Sequence, residues 1–287
     1  GVTLSLEKMN KVLSVNAGDF DCRVQANVTR KQLNEHLRDD GVFFPIDPGA
    51  DAALGGMAST SASGTMAVKY GTMRTVVSGL TVVLPSGEIV KTGTRTKKSS
   101  AGYNLTNLFI GSEWTLGVIT EVTVRILTAP ETAKAVLLGF DTSEQAGDCV
   151  AAVISAGIIP GGMEMMDTFA IQAAEEFVNA GYPLDVEALL IIELDGPNVE
   201  VEYLIERVSK IAKDTGAIHI KISQSEEERM VFWSGRKAAF PAVGRLSPDY
   251  ICMDGTIPRG KLSEVLSGMS KLSKKYDLRV ANVFHAG

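Results

Sequence analysis

Apolar residues in the second half of the chain follow two alternating patterns. Short apolar runs, typical of strands, are separated by segments in which apolar residues recur every three to four positions, as on one helix face. The predicted strands cover residues 135–140, 162–166, 189–194, 218–222, 250–257 and 280–284. The predicted helices cover residues 143–156, 168–180, 199–215, 226–240 and 261–276. This order predicts an α+β domain of the ferredoxin type, although spacing leaves parallel and antiparallel strand order open.

Two of these helices carry recognisable starting signals. Ser143 is the expected N-cap of the first helix, because a hydroxyl there can accept from a free backbone N–H. Ser225 is the expected N-cap of the fourth helix, and Glu228 three residues later would complete a capping box.

The first part of the chain has fewer helical patterns. Strands are predicted at residues 2–6, 22–28 and 118–127, and a helix is predicted at residues 29–37 with Thr29 as its N-cap. A hairpin is expected where residues 76–84 and 88–91 flank the turn sequence Pro-Ser-Gly.

The strand predicted at residues 118–127 should have two different faces and should end the first domain. Its even-numbered residues 118–124 should share one face and its odd-numbered residues the other, since strand side chains alternate. Ala129 and Pro130 close this strand, and the pattern changes after them, so the expected domain boundary lies there.

The stretch of residues 43–71 is dense in Gly, Ala, Ser and Thr. Such residues are poor core fillers, but their backbone N–H groups can approach a phosphate or a flat ring closely. A surface loop is the alternative interpretation, because clusters of these residues usually form loops. Composition leaves both open.

Composition narrows the class of protein. The chain has 287 residues, is 45% hydrophobic and 22% charged, and carries a formal charge of −6, which does not favour a nucleic-acid partner. No apolar run reaches membrane-spanning length. Its three cysteines lie far apart and form no CxxC pair, which is typical of a reducing compartment. The motifs of P-loop hydrolases, α/β-hydrolases and zincins are absent.

Candidate chemistry rests on few residues. His36 lies near a helix end and His219 within a strand, and neither position needs a functional explanation. His285 follows an apolar strand and could serve as a base or a metal ligand, or be structural. Arg236 lies beside aromatic residues and could bind a carboxylate through both nitrogens, or simply end a helix favourably.

Long ordered blocks of the sequence resemble one known family, the FAD-linked oxidases of the vanillyl-alcohol-oxidase type. These blocks are FPIDPGADAALGGMASTSASGT, KYGTMR, VVLPSGEIV, AGYNLTNLFIGSE, TLGVITEVTVRI, IIPGGMEMMD, FWSGRKAAFPAVGRLSPDYICMDGTIPR and YDLRVANVFHAG. Within the family the chain is most similar to the flavoprotein subunit of glycolate oxidase and to D-lactate dehydrogenases. The resemblance implies a PCMH-type FAD-binding domain, of which residues 1–129 would be the second part, and a substrate or cap domain at residues 130–287.

The resemblance also implies roles for individual residues. Arg236 would hold the substrate carboxylate, and His285 would act as part of the base or as a ligand of a divalent metal (zinc, manganese or iron). The implied FAD contacts are Pro45, Asp47, Pro48, Gly49, Gly55, Gly56, Ala58, Ser59, Thr60, Gly64, Tyr70, Gly71, Glu113, Gly117, Val118 and Ile119.

The implied reaction is oxidation of a D-2-hydroxy acid, glycolate or D-lactate, to the 2-oxo acid by hydride transfer to flavin N5. Electrons would pass to a quinone, a cytochrome or an iron–sulfur partner subunit. Bacterial relatives imply a location in the cytoplasm or peripheral on the inner membrane, and eukaryotic relatives imply a mitochondrial one. Alternatives are a D-2-hydroxyglutarate dehydrogenase, which would use Arg245 as an extra cation, and a flavin-free α+β binding or assembly module.

Three departures from the family pattern stand out. The Gly-rich block expected before Gly1 and the residues expected after Gly287 are absent, so the chain is expected to be a fragment lacking both ends. Trp114 occupies a position that is Gly in the family, and it should strain the turn if that position has a positive φ. Asn27 also replaces a usual Gly, which is a milder change because Asn tolerates the left-handed region.

Overall fold

The structure is a computed structural model that describes residues 1–247 and 249–287. The chain divides into two compact units, Gly1–Ala129 and Pro130–Gly287. Each unit has its own five-stranded sheet, and buried apolar residues cluster within each unit. The α+β class expected from the sequence is therefore confirmed.

The first unit is built on a five-stranded antiparallel sheet in the order β1-β2-β6-β4-β5. Its strands are β1 (Val12–Asn16), β2 (Asp21–Gln25), β3 (Val42–Phe43), β4 (Val77–Val83), β5 (Ile89–Gly93), β6 (Val118–Arg125) and β7 (Leu127–Thr128). Its helices are α1 (Arg30–Leu37), α2 (Leu54–Ser59), α3 (Ala67–Tyr70), α4 (Met73–Val76) and α5 (Leu105–Phe109). β3 and β7 pair separately as a short ladder.

The helix cap and the hairpin predicted for this unit are confirmed. Thr29 caps α1 in a full capping box with Gln32, and the predicted hairpin pairs β4 with β5. The strand predicted at residues 2–6 was wrong. Val2 is fully exposed and Leu4 is 67% exposed, so these apolar side chains have no sheet to pack against.

The expected alternation along β6 is interrupted by a β-bulge. Thr81 of β4 pairs with Glu121 of β6, but the next residue of β4, Val82, pairs with Ile119, so β6 contains one extra residue. An extra residue reverses the face on which the following side chains lie. As a result the odd-numbered Ile119 is buried, together with the even-numbered Val122 and Val124.

The second unit carries a five-stranded sheet in the order β11-β8-β10-β9-β12, and every neighbouring pair is antiparallel. Its strands are β8 (Thr132–Phe140), β9 (Gly162–Asp167), β10 (Ala188–Gly196), β11 (Ala217–Ile222) and β12 (Val283–His285). Its helices are α6 (Ser143–Ser155), α7 (Thr168–Val178), α8 (Asn198–Asp214), α9 (Glu226–Lys237), α10 (Ala239–Leu246) and α11 (Leu262–Tyr276).

Both faces of this sheet are covered, and each face has its own apolar cluster. Met163 and Met165 of β9 belong to the cluster that includes residues of α6, α8 and α11. Met166 belongs to the opposite cluster, which includes residues of α7 and α9. Successive side chains of a strand point to opposite faces, so Glu164 shares its face with Met166 and lies on the α7 and α9 side.

Three predictions for the second unit need correction. The N-cap of α6 is Thr142 rather than Ser143, and it forms a capping box with Gln145. The helix predicted at residues 226–240 divides at Ala238 into α9 and α10. Residues 250–257 form no strand, and Ile251 and Met253 are each 89% exposed, because these side chains find no neighbouring strand or helix.

Candidate functional site

The Gly- and Ala-rich stretch folds as an ordered part of the first unit rather than as a loose loop. Within it, Asp47 is buried and accepts hydrogen bonds from the Thr65 hydroxyl (2.8 Å) and the Met66 backbone N–H (3.3 Å). A Cβ on Gly64 would lie 2.4 Å from the Asp47 carbonyl oxygen, so only glycine permits this approach. Asp47 and Gly64 therefore fix the course of this segment.

Backbone hydrogen bonds join this stretch to the turn that contains Glu113, another of the implied FAD contacts. Gly111 N–H donates to Ala58 O (3.0 Å), and Glu113 N–H donates to Ser59 O (2.9 Å). Ala26 accepts from Gly55 N–H and donates to Thr120 O of β6. The structure thus brings the end of α2 and the turn before β6 together, although about 50 residues separate them in the sequence.

The implied FAD contacts differ widely in exposure. Those that are buried are Pro45, Asp47, Gly55, Ala58, Ser59, Gly64, Gly117 and Ile119. Those that are half-buried are Pro48, Gly56, Tyr70, Gly71 and Val118. Those that are exposed are Gly49, Thr60 and Glu113.

Two buried hydroxyls in this region have no partner among the described residues. They belong to Ser59 and Ser112, which flank the junction between α2 and the turn before β6. A buried hydroxyl without a partner is costly, by about 1–3 kcal/mol, and requires an explanation. A Cβ on Gly56 would meet no atom within 4 Å, so α2 also has an open backbone face. These features match a polar ligand such as the pyrophosphate or flavin ring of FAD.

In the second unit Arg236 and His285, the two candidate catalytic residues of the sequence, bond to the same side chain. Glu164 of β9 accepts from Arg236 Nε at 2.8 Å and Arg236 Nη2 at 2.7 Å, both through Oε2. Its other oxygen, Oε1, lies 2.5 Å from His285 Nδ1. The Glu164 side chain is completely buried, that of Arg236 is 11% exposed and that of His285 is 47% exposed. Arg236 and His285 therefore share one buried carboxylate.

Sheet register explains why His285 reaches Glu164. The two residues are directly paired across β9 and β12, so their side chains lie on the same face. An ionised carboxylate only accepts hydrogen bonds, so Nδ1 of His285 is assigned as the donor. In a neutral ring this assignment makes Nε2 the acceptor nitrogen.

Arg236 is positioned by α9. Ser225 caps this helix by accepting from Glu228 N–H (3.2 Å). The Glu228 carboxylate accepts from Gln224 N–H (2.8 Å) rather than from Ser225 N–H, so the predicted capping box forms only in part. Arg236 and Lys237 lie in the last turn, where the helix dipole favours positive charge.

A side-chain hydroxyl enters the backbone ladder of α9 at Arg236. The Tyr182 hydroxyl donates to the Phe232 carbonyl and accepts from the Arg236 N–H at 3.0 Å. These are the two groups that would bond to each other in an unbroken helix. A Cβ on Gly235 would lie 2.4 Å from the Tyr182 ring, so glycine makes this insertion possible.

A second buried carboxylate lies on the same sheet face. Glu193 of β10 accepts from Arg229 and from the Trp233 indole N–H (2.5 Å). Burial raises the pKa of Glu193, although Arg229 opposes this shift. Arg229, Trp233 and Arg236 recur at helical spacing, so a single stripe of α9 covers both carboxylates.

The remaining candidates lie elsewhere. His36 is on the exposed surface of α1, and His219 Nε2 lies 3.0 Å from the exposed Asp185. Arg245 of α10 stacks over the Phe177 ring at 4.3 Å. Among the described residues, no three His, Cys, Asp or Glu side chains are grouped to hold a metal ion. In the same part of the chain, no helix is long and apolar enough to cross a membrane.

Comparison with protein families gives two matches. Residues 129–287 match the family of FAD linked oxidases, C-terminal domain, and residues 1–93 match the FAD binding domain family. The first match covers more than half of the chain. The protein belongs to the FAD-linked oxidase family. The resemblance noted in the sequence is thereby confirmed, and FAD is the family's cofactor.

Curated relatives of this FAD-linked oxidase include glycolate oxidase subunits and D-lactate dehydrogenases. It is 45% identical over 289 residues to glycolate oxidase subunit GlcD of Escherichia coli K12, a match that covers 100% of this chain and 58% of that protein. It is 41% identical over 271 residues to a probable mitochondrial D-lactate dehydrogenase of Danio rerio, a match that covers 93% of this chain and 54% of that protein. The chain thus spans little more than half the length of these relatives.

Solved structures show the same fold at low sequence identity. The 4-ethylphenol oxidase from Gulosibacter chungangensis, in complex with isoeugenol, matches with a TM-score of 0.75 and 15% identity, over 98% of this chain and 63% of that one. Substrate-bound p-cresol methylhydroxylase matches with a TM-score of 0.63 and 16% identity, over 80% of this chain and 50% of that one. These neighbours support a PCMH-type fold for the FAD-linked oxidase.

Sequence reasoning missed three residues of the site: Ser112, Glu164 and Tyr182. Glu164 stands in the apolar run Gly162–Asp167, where a single carboxylate between methionines was the available signal. Nothing in the sequence connects Tyr182 with Arg236, since 54 residues separate them.

Proposed function

We propose that this protein oxidises a D-2-hydroxy acid, glycolate or D-lactate, to the corresponding 2-oxo acid with FAD. The observation that carries the proposal is the pair Arg236 and His285 held on one buried carboxylate, Glu164. One member is a cation suited to a carboxylate, and the other is a base suited to a hydroxyl proton. A 2-hydroxy acid presents both groups on adjacent carbons.

Arg236 would bind the substrate carboxylate. Glu164 occupies the Nε and Nη2 side of the guanidinium, and Nη1 has no partner among the described residues. The outer edge formed by Nη1 and Nη2 can therefore still donate to a second carboxylate in a bidentate manner. Because Arg236 is largely buried, this charge is poorly screened by water.

His285 would accept the proton of the 2-hydroxyl at Nε2. Its Nδ1 donates to Glu164, which fixes the tautomer and stabilises the positive charge that develops on protonation. The same nitrogen, Nε2, could instead ligate a metal, as the family resemblance implies, with Glu164 orienting the ring from the other side. A metal there would need further ligands besides those that the described residues supply.

FAD would be held by the first unit. We assign the contacts to the segment Pro45–Gly71 and the turn leading into β6, where the Ser59 and Ser112 hydroxyls lack partners among the described residues and Gly56 is open. When bound, FAD would supply the acceptor for the α-hydrogen. In this proposal residues 1–129 are part of the FAD-binding domain and residues 130–287 are the substrate domain.

The electron acceptor and the location follow from the same proposal. A quinone, a cytochrome or an iron–sulfur partner would reoxidise the flavin, in the cytoplasm, at the inner membrane or in mitochondria. Specificity for D-2-hydroxyglutarate is less favoured, because Arg245, the extra cation that it would require, stacks on Phe177.

The test is an anaerobic titration of the FAD-loaded chain with glycolate and with D-lactate, followed by absorbance. We expect one of the acids to bleach the flavin band. Arg236→Lys should raise the apparent dissociation constant at least tenfold, because lysine cannot donate bidentately. Arg245→Lys is the matched control and should change it by less than twofold.

Two results would contradict the proposal. One is that neither glycolate nor D-lactate bleaches the flavin band of the FAD-loaded wild-type chain. The other is an Arg236→Lys variant that binds both acids as tightly as the wild type does. Bleaching by D-2-hydroxyglutarate alone, weakened by Arg245→Lys, would favour the D-2-hydroxyglutarate alternative.

A further inference from the structure

Glu164 is the most completely buried charged group of the second unit. Its side chain has 0% exposure, and it stands in a strand whose other side chains are mostly methionines. A buried carboxylate is stable only when it is paired and hydrogen-bonded. The hydrogen-bond partners of Glu164 therefore indicate its role.

Those partners come from distant parts of the chain. Arg236 is 72 residues away and His285 is 121 residues away. Each uses a different oxygen: Arg236 binds Oε2 and His285 binds Oε1. One planar carboxylate thus fixes the guanidinium and the imidazole relative to each other.

We propose that Glu164 is a positioning residue that holds Arg236 and His285 in the mutual geometry needed to bind and deprotonate a 2-hydroxy acid. The inference rests on the proposed function, since Arg236 and His285 are the residues assigned there. Glu164 would not touch the substrate. It acts by directing the Nη1–Nη2 edge of Arg236 and the Nε2 nitrogen of His285 away from itself.

A purely structural role would be to neutralise Arg236 in the interior. The chain offers a direct comparison, because Glu193 also is a buried carboxylate on the same sheet face and pairs with Arg229 of the same helix. Its second partner is the Trp233 indole rather than a histidine. Glu193 therefore shares the burial and the ion pair with Glu164 but is not bonded to Arg236 or His285.

The experiment compares Glu164→Gln with Glu193→Gln in the full 287-residue chain. Both variants replace a buried carboxylate by an amide of the same shape. The first readout is ¹⁵N NMR of chains labelled at Arg and His, at one fixed pH. His36 and His219 serve as internal references, since the chain has three histidines, and Arg236→Lys identifies the Arg236 Nε–H signal.

In the wild type we expect a slowly exchanging Arg236 Nε–H and a His285 ring with its proton on Nδ1. Glu164→Gln should change both signals together, whereas Glu193→Gln should change neither. The second readout is the dissociation constant of oxalate, a planar dicarboxylate, measured by calorimetry on the FAD-loaded chain. Glu164→Gln should raise it at least tenfold, and Glu193→Gln by less than twofold, even though both lower the melting temperature.

The outcomes separate the two proposals. If Glu164→Gln leaves both NMR signals and the oxalate affinity unchanged, Glu164 does not position these residues and the inference is overturned. The same holds if Glu193→Gln has the same effects as Glu164→Gln. If the signals respond as expected but the wild-type chain binds neither FAD nor oxalate, the positioning role is supported and the proposed function fails.

Discussion

At the scale of single residues, the turn before β6 contains two residues with a strained backbone. Glu113 has φ +48° and Trp114 has φ +63°, a region that residues with a Cβ adopt at a cost. The positive φ at Trp114 is the condition under which the sequence predicted strain. Asn27 is not among the described residues with positive φ, so its replacement of a family glycine causes no such strain.

Trp114→Gly should therefore stabilise the chain. The Trp114 side chain is 49% exposed, so little packing is lost, and relief of the left-handed conformation should raise the free energy of unfolding by about 1 kcal/mol. Urea unfolding would measure the change. Tyr103→Gly is the control, since Tyr103 is 95% exposed without a positive φ, and it should give no gain. Equal effects of the two substitutions would refute the strain argument.

The three cysteines should differ sharply in reactivity. Burial raises the pKa of Cys22 to about 12 and that of Cys149 to about 11, and both thiols are fully buried. Cys252 is exposed. A disulfide reagent at pH 8 should therefore modify one thiol per native chain and all three after unfolding in urea. Cys252→Ser should abolish the native reaction, and a second rapidly reacting thiol would contradict the predicted burial.

At the scale of elements, α9 combines a cap, a charged stripe and an inserted hydroxyl. Its first turn holds three glutamates and its last turn Arg236 and Lys237, both of which match the helix dipole. The Tyr182 hydroxyl bonds to both the Phe232 carbonyl and the Arg236 N–H of the α9 backbone. Insertion of a side chain into the ladder bends a helix, so Tyr182 contributes to the direction in which Arg236 leaves α9.

This arrangement predicts opposite effects for two Gly→Ala substitutions. Gly235→Ala should lower the free energy of unfolding by about 1–3 kcal/mol, because the new methyl would collide with the Tyr182 ring. Gly244→Ala in α10 has its nearest atom at 3.6 Å and should raise it by about 0.5–1 kcal/mol through helix propensity. Thermal or urea unfolding would measure both, and a stabilised Gly235→Ala variant would rule out the close contact.

At the scale of the whole molecule, stability should depend on pH through Glu193. Burial raises its pKa above the ordinary 4.5, so the folded chain keeps this proton to higher pH than the unfolded chain does. Stability contributed by the proton is present below pH 4.5 and is lost as pH rises through the raised pKa. Relative to Glu193→Gln, the wild-type melting temperature should therefore fall as the pH rises above 4.5 and through the raised pKa. Parallel curves for the two proteins would contradict the raised pKa.

Much of the fold could be predicted because the signals are local. The capping box of α1, the β4–β5 hairpin and most strands of the second unit follow from residues within a few positions of one another. The predictions that were wrong depended on distant partners. Residues 2–6 and 250–257 have strand-like side chains, but a strand forms only where another strand supplies hydrogen bonds.

In the candidate site, too, some features follow from local sequence and others depend on distant residues. The sequence by itself determined the family, the small-residue segment near α2, and the identities of Arg236 and His285 as residues with suitable chemistry. Only the tertiary structure decided that these two meet on Glu164, that Tyr182 enters the ladder of α9, and that Ser59 and Ser112 are buried without partners among the described residues. The reason is physical: residue type sets what a side chain can donate or accept, whereas sheet register and helix packing decide which groups from distant segments lie within hydrogen-bonding distance.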